Sequence, residues 1–129
     1  MLNPVSPEPA SSPQFISVKK KGLGSCSKLT TPEELGHMNL GWYYNWRPFP
    51  VIDSPPGLEF VPMFWSGSDL TPENFSAVEE SRATHVLGFN EPDMEGQSNM
   101  TPEQCLDLWP QLMRLEQRLG SPAPANSAW

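Results

Sequence analysis

Glu91 stands in the run Gly88-Phe89-Asn90-Glu91-Pro92-Asp93, directly behind the apolar stretch His85 to Phe89. That stretch predicts a short buried strand, and Pro92 stops its pairing because proline has no N–H to donate. In parallel α/β folds, ligands bind and catalytic groups stand at the carboxyl ends of the strands. A carboxyl group held there beside Phe89 and shielded from bulk water would have its pKa raised. It could then keep its proton near neutral pH, as a general acid must. The competing interpretation is an ordinary solvated loop glutamate, and the position at a strand end favours the chemical one.

Aromatic residues gather at the same kind of position. Trp42, Tyr43, Tyr44 and Trp46 close one apolar run, and Phe64 and Trp65 close the next. Flat rings beside carboxamides such as Asn45 and Asn90 suit sugars, which present an apolar C–H face and a polar rim. Strand alternation sends Trp42 and Tyr44 to one side and Tyr43 and Asn45 to the other, so part of this aromatic set belongs to the core. Trp46 and Trp65, last in their strands, are the expected ligand platforms. With Tyr44, Asn45 and Asn90 they form the expected substrate-binding set around Glu91 as the catalytic residue.

Other chemistries find no support. His37 and His85 lack an i,i+4 or carboxylate partner of metal-site type, so no metal is expected. Ser66-Gly67-Ser68 reads as a turn, because the following helix should begin after Thr71 and not directly after the serine of a nucleophile elbow. Gly22-Leu23-Gly24 lacks the further glycine and lysine of phosphate-binding loops, so no nucleotide cofactor is expected. The formal net charge of −7 disfavours nucleic acid, and Lys19-Lys20-Lys21 is too short a basic run for a polyanion patch. No segment approaches the apolar length of a membrane span. Cys26 and Cys105 lack CxxC spacing and specify neither a metal site nor a redox pair. The stretch from Met1 to Ser12 has no positive n-region or unbroken apolar run and does not read as a signal peptide. Asn74-Phe75-Ser76 and Asn99-Met100-Thr101 fit the N-glycosylation pattern without further meaning. Nothing in the sequence points to a protein partner.

The elements that must position these residues follow from local signals. At 129 residues and 37% hydrophobic, the chain has room for one domain. Residues 1–16, rich in Pro and Ser, are expected to be a disordered leader, with the folded part over 17–129. Thr31-Pro32-Glu33, Thr71-Pro72-Glu73 and Thr101-Pro102-Glu103 each open a helix. Thr supplies the capping oxygen, Pro sits at the first helical position where it has no bond to lose, and Glu complements the positive end of the dipole. Glu34 and Gln104 complete capping boxes in the first and third.

Strands are expected over Phe15 to Leu23, Met38 to Tyr44, Phe60 to Trp65 and His85 to Phe89, with a fifth around Ser121 to Ala125. The third helix is expected from Pro102 to Leu119, kinked at Pro110 and stopped by Gly120, with Cys105, Leu106, Trp109, Leu112, Met113 and Leu119 near its buried face. Strand and helix in alternation, with strands apolar throughout, indicate an α/β fold around a parallel sheet.

Five segments occur in an order that resembles glycoside hydrolase family 128, a family of β-1,3-glucanases: Gly41 to Trp46, Glu59 to Trp65, Leu87 to Asp93, Gln97 to Thr101 and Leu119 to Ala123. The resemblance implies a (β/α)8 TIM barrel, of which this chain holds about the first five strands. It further implies retaining hydrolysis of β-1,3-glucan by an acid/base glutamate on the fourth strand and a nucleophile glutamate on the seventh. Glu91 matches the first glutamate, and Asn90 matches the asparagine that contacts the sugar in the −1 subsite. In a retaining enzyme the two carboxyls stand about 5–5.5 Å apart. The second has no counterpart here, since Glu95 and Glu103 share the loop and helix that follow Glu91. The implied partner is a β-glucan polysaccharide or oligosaccharide, and the implied destination is extracellular or the cell wall. The alternative is a non-catalytic glucan-binding module descended from such an enzyme.

Overall fold

The computed structural model describes residues 20–26 and 30–126; the expected leader lies outside them. In chain order the elements are β1 (Gly22–Gly24), α1 (Pro32–His37), β2 (Trp42–Tyr44), β3 (Glu59–Phe60), a 3-10 turn (Gly67–Asp69), α2 (Pro72–Ser81), β4 (His85–Leu87), α3 (Pro102–Leu112) and β5 (Arg118–Gly120).

All three Thr-Pro-Glu triplets begin helices. The Thr31 Oγ1 accepts the Glu34 N–H at 3.2 Å while the Thr31 N–H donates to Glu34 Oε2 at 2.8 Å. Thr101 and Gln104 make the same reciprocal pair at 3.2 and 2.9 Å. The Thr71 Oγ1 accepts the Asn74 N–H at 3.3 Å without a reciprocal side-chain bond. The backbone and hydroxyl of Thr31 hold the Glu34 carboxyl below its ordinary pKa, as expected for an anion satisfying orphan donors at a helix start. The α2 helix ends on Arg82 in the left-handed conformation, with φ 55°.

The sheet is parallel throughout. β1 pairs with β2 and β2 with β3, and β4 pairs with β5 in the register His85↔Arg118, Val86↔Leu119 and Leu87↔Gly120. A parallel bridge between Met63 and Leu87 joins the two groups, with the Leu87 N–H donating to Pro62 O at 2.8 Å and the Phe64 N–H to Leu87 O at 3.1 Å. The five strands therefore lie side by side in chain order. Helices separate β1 from β2, β3 from β4 and β4 from β5. The connection from β2 to β3 contains Pro48, Pro50, Pro55 and Pro56 and forms no helix, as the missing donors require.

Two apolar clusters hold the layers together. Tyr43 from β2 and Phe60 from β3 pack edge to face at 5.3 Å beside Leu35 of α1, with Leu40 and Leu58. Phe64, Val86 and Phe89 from the sheet meet Val78 of α2 and Cys105 and Leu112 of α3. Tyr43 is 1% exposed while Trp42 and Tyr44 are half-buried on the opposite face, as alternation required. Gly22 leaves room for the Trp42 indole, which occupies the place where a Cβ would stand, so the ring lies over β1. Gly88 does the same for Trp109 of α3: a Cβ there would stand 2.7 Å from the indole and 2.9 Å from Gly120 O.

The C-terminal third departs from the expected elements. The α3 helix ends at Leu112 and not at Leu119, and the fifth strand is Arg118–Gly120 and not 121–125. Leu106 and Met113, expected on the buried face, are 72% and 65% exposed. Leu119 fits helical spacing only by coincidence; it packs against the core from β5, opposite Val86. Gly120 ends a strand, and its carbonyl accepts the Gly88 N–H at 3.1 Å. Beyond it, Pro122 and Pro124 deny the chain ladder donors, and only a single bridge, Asn90↔Ala123, continues the pairing.

Candidate active site at the carboxyl edge of the sheet

Three neighbouring strand ends bring the expected residues to one edge. β2 delivers Tyr44, Asn45 and Trp46; the extension of β3 delivers Trp65; the extension of β4 delivers Asn90 and Glu91. Trp42, Tyr44 and Trp46 form a file of rings, with centroids 6.3 Å apart between the first two and 4.8 Å between the last two. Trp46 is 37% exposed and ends the file on a backbone turned into the left-handed region, φ 59°. It is thus an accessible ring at the rim of this edge.

Asn45 is 8% exposed, and its carboxamide is engaged at both ends: Nδ2 donates to Phe49 O at 3.1 Å and Oδ1 accepts the Arg47 N–H at 3.1 Å. These bonds fold the start of the proline-rich 45–58 loop and so orient Trp46. The structure therefore gives Asn45 a structural task, whereas Trp46 and Tyr44 keep accessible surface.

Trp65 is held by its backbone. Its N–H donates to Asp69 Oδ2 at 2.7 Å, and its carbonyl accepts the Asn90 N–H at 2.9 Å. Asp69 also accepts the Ser66 N–H at 3.2 Å while Ser66 Oγ accepts from the Ser68 N–H, which makes a capping box on the 3-10 turn. The Ser-x-x-Asp spacing of Ser66 and Asp69 was the available signal for this anchor, which the reading of residues 66–68 as a plain turn passed over.

Glu91 is half-buried, on a left-handed backbone with φ 41°. Its own N–H donates to Ala123 O at 3.0 Å, and its carbonyl accepts the Met94 N–H at 3.1 Å. The next residue, Pro92, is fully buried and its carbonyl accepts the Met100 N–H at 2.9 Å. Asp93 then accepts the N–H groups of Ala125 and Asn126 at 2.6 and 2.8 Å, binding the segment after β5 to the segment that carries Glu91. Glu91 is therefore anchored before and behind by main-chain bonds, while its carboxylate makes no hydrogen bond to another described residue. Asn90 shares this frame, and its Nδ2 donates to Gln97 Oε1 at 3.1 Å.

Among the described residues no three His, Cys, Asp or Glu side chains gather as a metal site. His85 does have a carboxylate neighbour, contrary to the expectation from sequence spacing. Its Nδ1 lies 3.8 Å from Glu59 Oε1 and 2.7 Å from Thr84 Oγ1, and Glu59 comes from the adjacent strand. This group lies at the amino ends of β3 and β4, opposite the edge that carries Glu91. Cys26 and Cys105 are both free thiols, one exposed and one buried. No helix among the described residues is long and apolar enough to cross a membrane.

Residues 24–129 match the family model described as the glycosyl hydrolase catalytic core. Among solved structures, the chain is similar to a subgroup I endo-β-1,3-glucanase of glycoside hydrolase family 128 from Amycolatopsis mediterranei, solved with laminaripentaose. The two share 39% identity at a TM-score of 0.76 over 85% of this chain and 45% of that one. A subgroup III curdlan-specific exo-β-1,3-glucanase from Blastomyces gilchristii, solved with glucose, shares 32% identity at a TM-score of 0.67 over 85% and 48%. A subgroup II enzyme from Sorangium cellulosum, at 24% identity and a TM-score of 0.65 over 83% and 48%, agrees in fold. No protein of curated function matches the sequence. The chain spans somewhat less than half the length of these enzymes. With the matched model covering most of its residues, and with parallel strands delivering the matched segments to one edge, the chain belongs to the glycosyl hydrolase catalytic core family, in the company of the family 128 β-1,3-glucanases.

Proposed function

We propose that this chain is the acid/base portion of a retaining β-1,3-glucanase barrel in which Glu91 protonates the glycosidic oxygen of the leaving sugar. The observation that carries the reading is the placement of Glu91. It is half-buried at the carboxyl end of β4 and rigidly held by main-chain bonds, beside Asn90 and next to the strand end that bears Trp65. In this reading Trp46, Trp65 and Tyr44 stack against glucose rings, Asn90 contacts the sugar at the cleavage point, and Asn45 orients the loop behind Trp46. Relatives crystallised with laminari-oligosaccharides support the substrate class, and five parallel strands in chain order are the arrangement an eight-stranded barrel would continue.

Retention needs a second carboxylate about 5–5.5 Å from the first, to attack the anomeric carbon while the acid protonates the departing oxygen. In the same site the first residue then removes a proton from the water that releases the sugar. Glu95 and Glu103 follow Glu91 on its own loop and on α3 and do not come from an opposing strand. The file of rings Trp42, Tyr44 and Trp46 at the same edge supports a second reading, a glucan-binding module that holds the sugar without turnover.

Laminarin hydrolysis and laminaripentaose binding test the proposal when measured on a barrel in which these residues are joined to a strand bearing the nucleophile glutamate, as wild type and as Glu91→Gln. Loss of the acid should cut turnover by about 10²–10⁴-fold while affinity survives. Turnover unchanged by the substitution would refute the role of Glu91. Binding without any product from the wild type would favour the module.

A further inference from the structure

The Gln97-Ser98-Asn99-Met100-Thr101 segment has so far no task in the site, although it returns the chain to the strand end that carries Asn90. The Gln97 N–H donates to Met94 O at 3.0 Å and the Ser98 N–H to Asn90 O at 3.4 Å, so residues 94–98 close back on Asn90. The side chain of Gln97, half-buried, completes the closure: its Oε1 accepts from Asn90 Nδ2 at 3.1 Å.

A carboxamide is nearly symmetric in shape and opposite in hydrogen-bonding sense at its two ends. Rotated by half a turn, Asn90 would fill the same space while offering a donor where it had offered an acceptor. The backbone of Asn90 is fixed through Trp65 O and Ser98 N, but neither bond constrains the amide plane. Gln97 is the one described residue that does so by hydrogen bonding. With one N–H committed to Gln97, Asn90 keeps its Oδ1 and its second N–H for a ligand.

We propose that Gln97 is a positioning residue: by accepting from Asn90 Nδ2 it holds the plane of the Asn90 carboxamide and leaves Asn90 Oδ1 to accept a hydrogen bond from a sugar hydroxyl beside Glu91. The role rests on the glucan reading above. It assigns the 97–101 segment a part in recognition that does not require it to touch the sugar.

Three variants separate this from a packing role. Gln97→Leu and Gln97→Met remove the acceptor, whereas Gln97→Glu keeps an acceptor and cannot donate when ionised. Calorimetric titration with laminaripentaose should show affinity weakened about 3–10-fold in the first two, the range spanned by one neutral hydrogen bond, and held within about two-fold in the third. In ¹H–¹⁵N spectra recorded without sugar, the two Asn90 Nδ2 protons should be well separated in the wild type and in Gln97→Glu. In Gln97→Leu and Gln97→Met the proton that loses its acceptor should move upfield. A fold that merely lost packing would shift many resonances and would not be rescued by glutamate.

Wild-type affinity in Gln97→Met, or a Gln97→Glu variant that behaves like the leucine one, would overturn the positioning role while leaving the glucan reading intact. If the wild type fails to bind laminaripentaose although the Asn90 resonances respond as described, the glucan reading falls and the recognition role falls with it.

Discussion

Gly88→Ala puts the junction between sheet and α3 to a quantitative test. The added Cβ would stand 2.7 Å from the Trp109 ring and 2.9 Å from Gly120 O. The indole can tilt, at the expense of its edge-to-face contact with Phe89, whose centroid lies 6.1 Å away. The carbonyl has less freedom, because it accepts the Gly88 N–H at 3.1 Å and belongs to β5. Overpacking of this kind costs about 1–3 kcal/mol, and weakening one ladder bond adds about 0.5–1.5 kcal/mol. A loss of roughly 1.5–4.5 kcal/mol is therefore expected, and with a urea m-value near 2 kcal/mol/M this moves the unfolding midpoint down by about 0.7–2.3 M. Gly96→Ala is the control: nothing lies within 4 Å of its Cβ, so the change should be neutral or stabilising by up to about 1 kcal/mol. The double variant Gly88→Ala with Trp109→Leu should recover the ring's share of the loss and leave the carbonyl's share. Tryptophan fluorescence, with far-ultraviolet dichroism for the double variant, reads all four midpoints. A midpoint for Gly88→Ala within 0.3 M of the wild type, by the order-of-magnitude argument above, would refute the close-packing account of this glycine.

Two further expectations concern stability. Thr101→Ala should cost about 1 kcal/mol in urea unfolding by stripping the cap of α3, and Thr101→Ser should restore most of it; no loss would show that the capping box is dispensable. Glu59 supplies a pH dependence. Burial raises its pKa, but the hydroxyl and N–H of Thr84 and the charge of His85 together outweigh burial and leave it below the ordinary 4.5. A carboxyl whose folded pKa is depressed contributes stability above its unfolded pKa and loses it as pH falls through the folded one. Acidification from 4.5 downward should therefore destabilise the wild type more steeply than Glu59→Gln, and parallel curves would remove Glu59 from the account.

The legible parts of this molecule are those written in adjacent residues. Each Thr-Pro-Glu triplet carries its own cap, so the three helix starts were readable to the residue. The alternation of Trp42, Tyr43, Tyr44 and Asn45 correctly placed one ring in the core and two on the other face. The end of α3 was not readable, since Leu119 satisfies helical spacing while its burial comes from β5, and Leu106 and Met113 show how far that spacing misleads. Asn45 sits at the strand end its position in the sequence indicated, while the bonds its amide makes to Arg47 and Phe49 depend on the turn that follows β2. The roles of Asp93 and Gln97 depend on partners brought by folding, and Glu59 meets His85 only because β3 and β4 are neighbours.

Trp46 and Glu91 both hold a left-handed backbone, which costs a residue with a side chain roughly 1–2 kcal/mol that glycine would avoid. Selection for thermal endurance alone would thus favour glycine at two positions where the proposed function needs a ring and a carboxyl. Stabilised variants of this chain obtained without a glucan requirement should drift toward glycine at these two strand ends as well as at Arg82, whereas variants selected on glucan should drift at Arg82 and keep the ring and the carboxyl.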